Sequence, residues 1–303
     1  MLCAGWSDQD HLRSGAVRVT KQLEEKHFAA AARLIDEADS LIIAAGAGMG
    51  VDSGLPDFRG VGGFWQAYPA LGRAKIRFEE IASPATFERD PTLAWGFYGH
   101  RLNLYRATVP HEGFHLLKAM ADEMPCGGFV FTSNVDGQCQ KSGFPETQVV
   151  ECHGSIHHLQ CLEPCTDAIW PAHDFHPVID EEHCRIQSDM PRCINCGGLA
   201  RPAILMFSDW SWSEGRTRIQ SSRFTTWRRT SERPVVIEIG AGTAIPSVRE
   251  FSHRQQCPII RINPTESQVP RAGDVGIPLS ALAGICGIRA ALSGNRLDFT
   301  GPA

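Results

Sequence analysis

Short apolar runs, each followed by a polar or glycine-rich segment, recur along most of this 303-residue chain. The first occupies residues 41–45, and both of its alternating faces are apolar, as in a strand buried within a parallel sheet. It follows a segment, residues 20–38, whose apolar positions recur at helical spacing. Further runs occupy residues 128–132, 148–152, 203–207, 234–239 and 258–262. The alternation predicts an α/β fold built on a Rossmann-like parallel sheet.

Two stretches do not follow this alternation of strand and helix. Residues 62–110 are rich in aromatic and helix-forming residues, and residues 157–199 are dense in cysteine and histidine. We interpret them as two insertions that together form a smaller domain. The predicted division assigns residues 20–61, 111–156 and 201–290 to the sheet domain, 62–110 to a helical insert and 157–200 to a second module that is rich in cysteine and histidine.

The charge balance narrows the classes of partner. With 29 basic and 34 acidic residues the formal net charge is −5, whereas duplex nucleic-acid binders usually have a basic excess. No apolar run reaches the roughly 18 residues of a membrane span, and residues 1–21 lack the apolar core of a signal peptide. The eleven cysteines are typical of reduced thiols, some of which bind metal. We expect a cytoplasmic protein with no membrane partner and no direct nucleic-acid partner.

Six arginines crowd the stretch between residues 216 and 233. A solvated helix face is the favoured interpretation, and a surface for an acidic peptide or partner protein is the alternative. The six are Arg216, Arg218, Arg223, Arg228, Arg229 and Arg233.

A glycine-rich loop follows the first predicted strand. Gly46, Ala47 and Gly48 allow a backbone to approach a pyrophosphate closely, although a plain turn is an equal alternative for these residues alone. The segment that follows this loop is a more specific indication of a binding site. Asp57, Phe58 and Arg59 place a carboxylate, an aromatic ring and a guanidinium between turn residues, a combination that a structural loop rarely needs.

Polar side chains follow two further predicted strands. Asn134 and Asp136 stand at alternate positions where they can order a water or a ribose, or else form an Asx turn that caps a helix. His153 precedes Gly154 at the end of the next run, where an imidazole that titrates near neutrality suits a general base. A purely structural histidine is the alternative.

Two cysteine pairs predict a metal site in the second insertion. Cys161 and Cys165 are separated by three residues and Cys193 and Cys196 by two, which is the spacing of a tetrahedral four-thiolate zinc site. Four other potential ligands lie between the pairs and rank lower, because they lack the tight metal-binding turn, or knuckle, that a cysteine pair forms. They are His173, His176, His183 and Cys184.

These motifs, in this order, resemble the sirtuin family over roughly residues 20–282. The glycine loop with residues 52–60 is similar to the family's GAG…S-G-[IL]-P-D-F-R-[GS], and residues 132–136 are similar to its T-Q-N-[IV]-D. His153-Gly154 resembles the catalytic H-G, and the cysteine pairs resemble the structural zinc ribbon. Arg201-Pro202 up to Phe207, Gly242-Thr243 and the segment 262–264 resemble three further family segments.

The resemblance implies an enzyme that consumes NAD to remove acyl groups from lysines of protein peptides. The acyl oxygen attacks the anomeric carbon as nicotinamide leaves, and His153 accepts a ribose hydroxyl proton, with Asn134 and Asp136 as the other catalytic residues. The products are free lysine, nicotinamide and O-acyl-ADP-ribose. The residues implied to contact NAD are Gly46, Ala47, Gly48, Asp57, Phe58, Arg59, Ser133, Asn134, Val135, Asp136, Gly240, Gly242, Thr243, Asn263 and Leu279.

The chain departs from the family pattern at four places near the expected site. Ser133 stands in place of the usual Gln, Cys139 in place of a His, Ser208-Asp209 in place of Gly-Glu, and Ala244 in place of the serine of G-T-S. These departures leave NAD binding expected and substrate choice open. ADP-ribosylation of protein, or hydrolysis of NAD, is therefore the alternative function on the same chemistry. A non-catalytic NAD sensor is a third class, which the presence of His153 disfavours.

Tyr98 and Arg101 in the helical insert resemble the Y-x-x-R pair with which acidic-acyl sirtuins hold a succinyl or malonyl carboxylate. Residues three apart on a helix share one face, and a guanidinium forms a forked pair with a carboxylate. Phe207 is implied to contact the substrate, and Trp210 and Trp212 either line the peptide groove or pack in the core. The alternative is that Tyr98 packs in the core and Arg101 pairs with a surface carboxylate.

Overall fold

A parallel sheet forms the centre of the molecule in the computed structural model, which describes residues 8–56 and 60–298, with side chains for residues 22–56 and 64–294. The strands are β1 Ser40–Ala45, β2 Gly128–Thr132, β3 Val149–Glu151, β4 Gly154–Cys161, β5 Ile169–Pro171, β6 Ile179–Asp180, β7 Arg185–Ile186, β8 Ala200–Ile204, β9 Pro234–Ile239, β10 Ile259–Ile262 and β11 Val275–Ile277.

Helices cover this sheet and fill the insert that follows β1. They are α1 Asp8–Asp36, α2 Gly60–Ala67, α3 Pro69–Arg73, α4 Phe78–Ile81, α5 Pro84–Arg89, α6 Pro91–Ala107, α7 Glu112–Glu123, α8 Gln138–Lys141, α9 Gly215–Arg228, α10 Ser247–Arg254 and α11 Ala281–Asp298. Two 3₁₀ helices, Ala47–Ser53 and Glu146–Gln148, follow β1 and precede β3.

The central sheet runs β11-β10-β9-β1-β2-β3, and all its pairings are parallel. If its six strands are counted in chain order, this is the doubly wound order 3-2-1-4-5-6. The connections change direction between β1 and β9, so a crevice opens beyond the carboxyl ends of these two strands. The predicted Rossmann-like fold is confirmed.

Burial explains why these segments form strands. Every residue of β1 and β9 is buried, with apolar side chains on both faces of the sheet. Helices α1, α7 and α11 pack on one face, around Ile43 and Ile237, and α9 and α10 pack on the other, around Ile42 and Val236. Full burial of one such side chain stabilises the fold by about 1.5–3 kcal/mol. β11 was not predicted, because three residues are too few to give a pattern.

The smaller part of the molecule combines a three-stranded antiparallel sheet, β5-β4-β8, with the β6–β7 hairpin and helices α2–α6. Its core is aromatic and contains Phe64, Trp95 and Phe97, each about 1% exposed or less. Gly96 lets α6 approach the hairpin, since a Cβ there would lie 2.0 Å from the Cys184 carbonyl oxygen.

One predicted strand is wrong in both position and partner. The apolar run 203–207 was expected to belong to the parallel sheet, but the strand is Ala200–Ile204 and pairs antiparallel with β4. Pro202 is tolerated because β8 is an edge strand of the small sheet, where a missing N–H donor costs little. The rest of the run, from Leu205, turns away as a loop toward His153.

Most of the arginine-rich stretch is engaged within the chain. Arg216 pairs with Glu151 and Glu146, and Arg218 pairs with Glu214. Arg228 and Arg233 donate to backbone carbonyls. These contacts favour the structural and solvated interpretation over a surface for an acidic partner. Among the helices of the described part of the chain, none combines the length and apolar character that a membrane crossing requires.

Candidate active site

The loops after β1 and β9 meet at the crevice. The Gly48 backbone N–H donates to the Gly240 carbonyl at 3.0 Å. A Cβ on Gly46 would lie 2.8 Å from Ala241 Cα, and one on Gly240, whose φ is +62°, would lie 2.4 Å from the Gly48 carbonyl carbon. Only glycine allows so close an approach of two backbones. The glycine loop, with Ala47 opening a 3₁₀ helix, therefore lines the crevice where the sheet changes direction.

The loop after β2 is tied to the same place. The Asn134 side-chain amide donates to the Gly46 carbonyl at 3.0 Å, and the Ser133 backbone N–H donates to the Ala45 carbonyl. Val135 points the other way, into the aromatic core of the smaller part. The structure thus brings the first two predicted motifs together, with Asn134 as the link between them.

Asp136 is buried at the inner end of this loop, 8% exposed. Its Oδ1 accepts the Gln138 backbone N–H at 2.9 Å. Burial, together with the nearby Glu151 carboxylate, raises the pKa of Asp136 to about 6, although the Gln138 hydrogen bond and the Arg101 charge oppose this shift. The carboxyl group therefore changes charge close to neutral pH, which is typical of functional sites.

His153 stands directly after β3, half-buried, at the edge of the crevice. Its Nε2 lies 3.3 Å from Ser247 Oγ, and its carbonyl accepts the Leu205 backbone N–H at 2.9 Å. Burial lowers the pKa of His153 below its ordinary value, and a hydrogen bond with the Ser133 backbone opposes this. The imidazole is therefore neutral at pH 7, the form that a general base requires.

The remaining predicted NAD residues lie on three loops at the far side of the crevice. Gly242 is half-buried, with open space around its Cα, and Thr243 is exposed beside it. The Asn263 side chain is buried; it donates to the Ala241 carbonyl at 2.9 Å and accepts the Thr265 and Glu266 backbone N–H groups. Asn263 thus shapes this loop, and Leu279 packs partly against the main core. Asp57, Phe58 and Arg59 lie outside the described residues.

Two residues that sequence patterns did not single out support this site. Ser247 is the side-chain neighbour of His153 named above. His157 approaches from β4, with Nε2 2.9 Å from the Asp136 carbonyl oxygen, so this nitrogen holds its proton and donates. No local signal marks either residue, since Ser247 is 94 positions from His153 along the chain and His157 is 21 positions from Asp136.

The helical insert delivers the predicted acyl-contacting residues. Tyr98 is 1% exposed and stacks on Phe87 with ring centroids 5.6 Å apart. Burial raises the pKa of Tyr98 to about 12. Arg101, one turn along α6, is also buried. Phe207 is half-buried, packs edge-on against Phe78 and donates its backbone N–H to the Ala82 carbonyl.

An ion pair shielded from solvent stabilises the loop beside His153. Asp209 accepts two hydrogen bonds from Arg201, at 2.7 and 3.0 Å, and neither side chain is exposed. Asp209 also accepts the Met206 and Ser211 backbone N–H groups. The aspartate that replaces the family's glutamate therefore organises the loop, which leaves Trp210 97% exposed and outside the core.

The four predicted zinc ligands converge. The Sγ atoms of Cys161, Cys165, Cys193 and Cys196 all lie within 4.8 Å of one another. Three of the separations are 3.5, 3.6 and 3.7 Å. Zinc–sulfur bonds of about 2.3 Å in a tetrahedron give sulfur–sulfur edges of about 3.8 Å, so the cluster fits one zinc ion. Within the described residues, the alternative ligands do not join this group; they are His173, His176, His183 and Cys184.

Together, the fold and site define a doubly wound nucleotide-binding protein with a histidine at the crevice and a thiolate cluster in an inserted ribbon. Residues 46–243 match the model of the Sir2 family, and the chain belongs to that family. It is 28% identical over 249 residues to an NAD-dependent protein deacylase of Aquifex aeolicus (strain VF5), covering 81% of this chain and 92% of that protein.

Two further comparisons agree with this assignment. The chain is 30% identical over 180 residues to an NAD-dependent protein deacylase of Thermococcus sibiricus, covering 59% of this chain and 64% of that protein. A solved complex of a Sir2 homologue with NAD has the same fold, with a TM-score of 0.64 at 22% identity, covering 87% of this chain and 93% of that one.

Proposed function

We propose that this protein is an NAD-dependent protein-lysine deacylase. The observation that supports it most is the meeting of the Gly46–Gly48 loop, Asn134, Asp136 and His153 at one crevice of a Sir2-family fold. The relatives named as NAD-dependent protein deacylases support the same activity. In this proposal the substrates are NAD and an acylated lysine peptide, and the zinc ion is structural.

Each residue has a distinct role in the proposed reaction. The glycine loop approaches the phosphates of NAD, and Asn134 and Asp136 hold its ribose and nicotinamide end. His153 accepts a proton from a ribose hydroxyl, so that this oxygen can attack the acyl carbon after nicotinamide has left. The adenosine side of the NAD site is formed by Gly240, Gly242, Thr243, Asn263 and Leu279. The nicotinamide ribose is covered by Asp57, Phe58 and Arg59.

One experiment separates deacylation from the alternative functions. Protein is incubated with NAD, with and without an acyl-lysine peptide, and products are followed by mass spectrometry. We expect nicotinamide, O-acyl-ADP-ribose and free lysine only when both substrates are present. Release of ADP-ribose without peptide, or its transfer to protein, would instead identify the NAD-hydrolase or ADP-ribosyltransferase alternative. A sensor would bind NAD and release no product.

We further propose that the preferred acyl group is carboxylated, as in succinyl- or malonyl-lysine. The buried Arg101 guanidinium and Tyr98 support this, because they stand three positions apart on one face of α6 and resemble the Y-x-x-R pair of the acidic-acyl sirtuins. Charge-assisted hydrogen bonds to a carboxylate contribute about 1.5–3 kcal/mol each, enough for a preference of more than roughly tenfold over acetyl.

Arg101→Met tests this acyl preference. The variant keeps the side-chain volume and removes the charge, so kcat/KM on succinyl- and malonyl-lysine peptides should fall by about tenfold or more, while the value on acetyl-lysine changes much less. Arg106→Met is the matched control, since Arg106 lies on the same helix but donates to the Phe175 and Ala172 carbonyls. A wild-type preference for acetyl-lysine, or an unchanged ranking in Arg101→Met, would contradict the proposal.

A further inference from the structure

The Arg101 guanidinium is held by a phenol. Its Nε and Nη2 donate to the hydroxyl oxygen of Tyr105 at 3.0 and 2.7 Å. The two residues are four positions apart on α6, so their side chains share one face of the helix. Tyr105 is 4% and Arg101 8% exposed. Two donors on one oxygen, away from bulk water, restrict both the position and the plane of the guanidinium.

The backbone of Tyr105 is hydrogen-bonded to the segment that follows β2. Its carbonyl accepts hydrogen bonds from Gln138 Nε2 at 3.1 Å and from Lys141 Nζ at 2.9 Å. The Gln138 backbone N–H in turn donates to the Asp136 carboxylate. Tyr105 therefore connects the helical insert to the loop after β2, and these hydrogen bonds fix the position of the backbone that carries its phenol ring.

Aromatic rings also lie around this cation. Arg101 Cζ lies 5.2 Å from the Phe97 ring centroid, 5.7 Å from that of Tyr98 and 5.3 Å from that of Tyr105. A guanidinium is weakly hydrated and interacts favourably with ring faces, so it stays charged in such a place. The chain's three tyrosines, Tyr68, Tyr98 and Tyr105, all belong to this insert.

We propose that Tyr105 is a specificity-determining positioning residue, which orients the Arg101 guanidinium for the carboxylate of an acidic acyl chain. The inference rests on the acyl preference proposed above. The phenol oxygen accepts both hydrogen bonds from Arg101, and its O–H hydrogen remains a donor toward the same carboxylate. An acetyl group has no carboxylate, so this arrangement favours only the acidic acyl chains.

Tyr105→Phe removes one oxygen atom and tests the inference. We expect kcat/KM on a succinyl-lysine peptide to fall about tenfold, mainly through KM, because binding of a remote group is lost. The value on acetyl-lysine should stay within about twofold. Tyr68→Phe is the matched control: it removes a buried phenol oxygen of the same insert that contacts His100 Nδ1 at 3.0 Å, and should leave the succinyl-to-acetyl ratio unchanged.

The outcomes are distinguishable. If wild-type protein prefers acetyl-lysine, the acyl preference fails and the role of Tyr105 fails with it. If wild-type protein prefers succinyl-lysine but Tyr105→Phe keeps the ratio, or loses both activities equally, only the role of Tyr105 is overturned. Should Tyr105→Phe not fold, Tyr105→His is measured instead; its imidazole supplies one acceptor, so an intermediate ratio is expected and a wild-type ratio contradicts the inference.

Discussion

His153→Ala is expected to bind NAD and to lose about 10²- to 10⁴-fold of its acyl-lysine turnover, the usual contribution of a general base. The imidazole lies at the end of β3, half-buried, with its Nε2 near Ser247 Oγ. Its removal should therefore affect the proton transfer more than the fold. The measurement is kcat on an acyl-lysine peptide, together with NAD affinity by calorimetry.

Ser247→Ala is a suitable control for this variant. It removes the side-chain neighbour of His153 at 3.3 Å but keeps the imidazole, so it should lower turnover far less than His153→Ala does. Near-normal turnover in His153→Ala would exclude the histidine as the base. Loss of NAD binding in the same variant would instead indicate a structural role.

The decline of turnover at acidic pH follows from the ionisation of His153 and Asp136. The proposed mechanism uses neutral His153, whose pKa is lowered by burial, and ionised Asp136, whose pKa is raised to about 6, mainly by burial. Both requirements are met above these pKa values and are lost as pH falls through them. In the wild-type protein we therefore expect kcat/KM to decline below about pH 6.

The sheet was predictable because its signals are local. In β1 and β9, apolar residues on both faces identify a strand buried on both sides, and the glycines that follow identify a close backbone approach. The prediction for the run 203–207 was wrong because it relied on the same local signal. Local apolarity does not reveal which sheet a strand joins, and here the pairing of β8 with β4 decided it.

The electrostatics of the site were beyond sequence patterns, because they depend on contacts between distant segments. Arg201 and Asp209 were each noticed, but only the fold shows that they form a solvent-shielded pair. Likewise, the Arg101–Tyr105 contact needs α6 to be buried against the loop after β2. The raised pKa of Asp136 arises from that same burial.

Zinc binding is expected to control the stability of the inserted ribbon. Structural zinc contributes about 10–16 kcal/mol to folding in zinc-finger peptides at pH 7, because the site forms only with the fold. Cys196→Ser is the informative change, since this thiol is exposed and its loss creates no cavity in a core. We expect zinc content to fall from one ion per chain and Tm to drop sharply, measured by elemental analysis and calorimetry.

Cys184→Ser provides the contrast that assigns the ligands. Cys184 lies between the two pairs in the sequence, but its backbone packs against Gly96 of α6 and its sulfur is not among the four that cluster. Because the thiolate tetrahedron is intact in this variant, one zinc ion per chain should be retained even if burial of a hydroxyl lowers Tm. Zinc lost from Cys184→Ser but kept by Cys196→Ser would overturn the four-cysteine assignment. A chelator should reproduce the effect of Cys196→Ser on wild-type protein, since in both cases the fold loses the same ion.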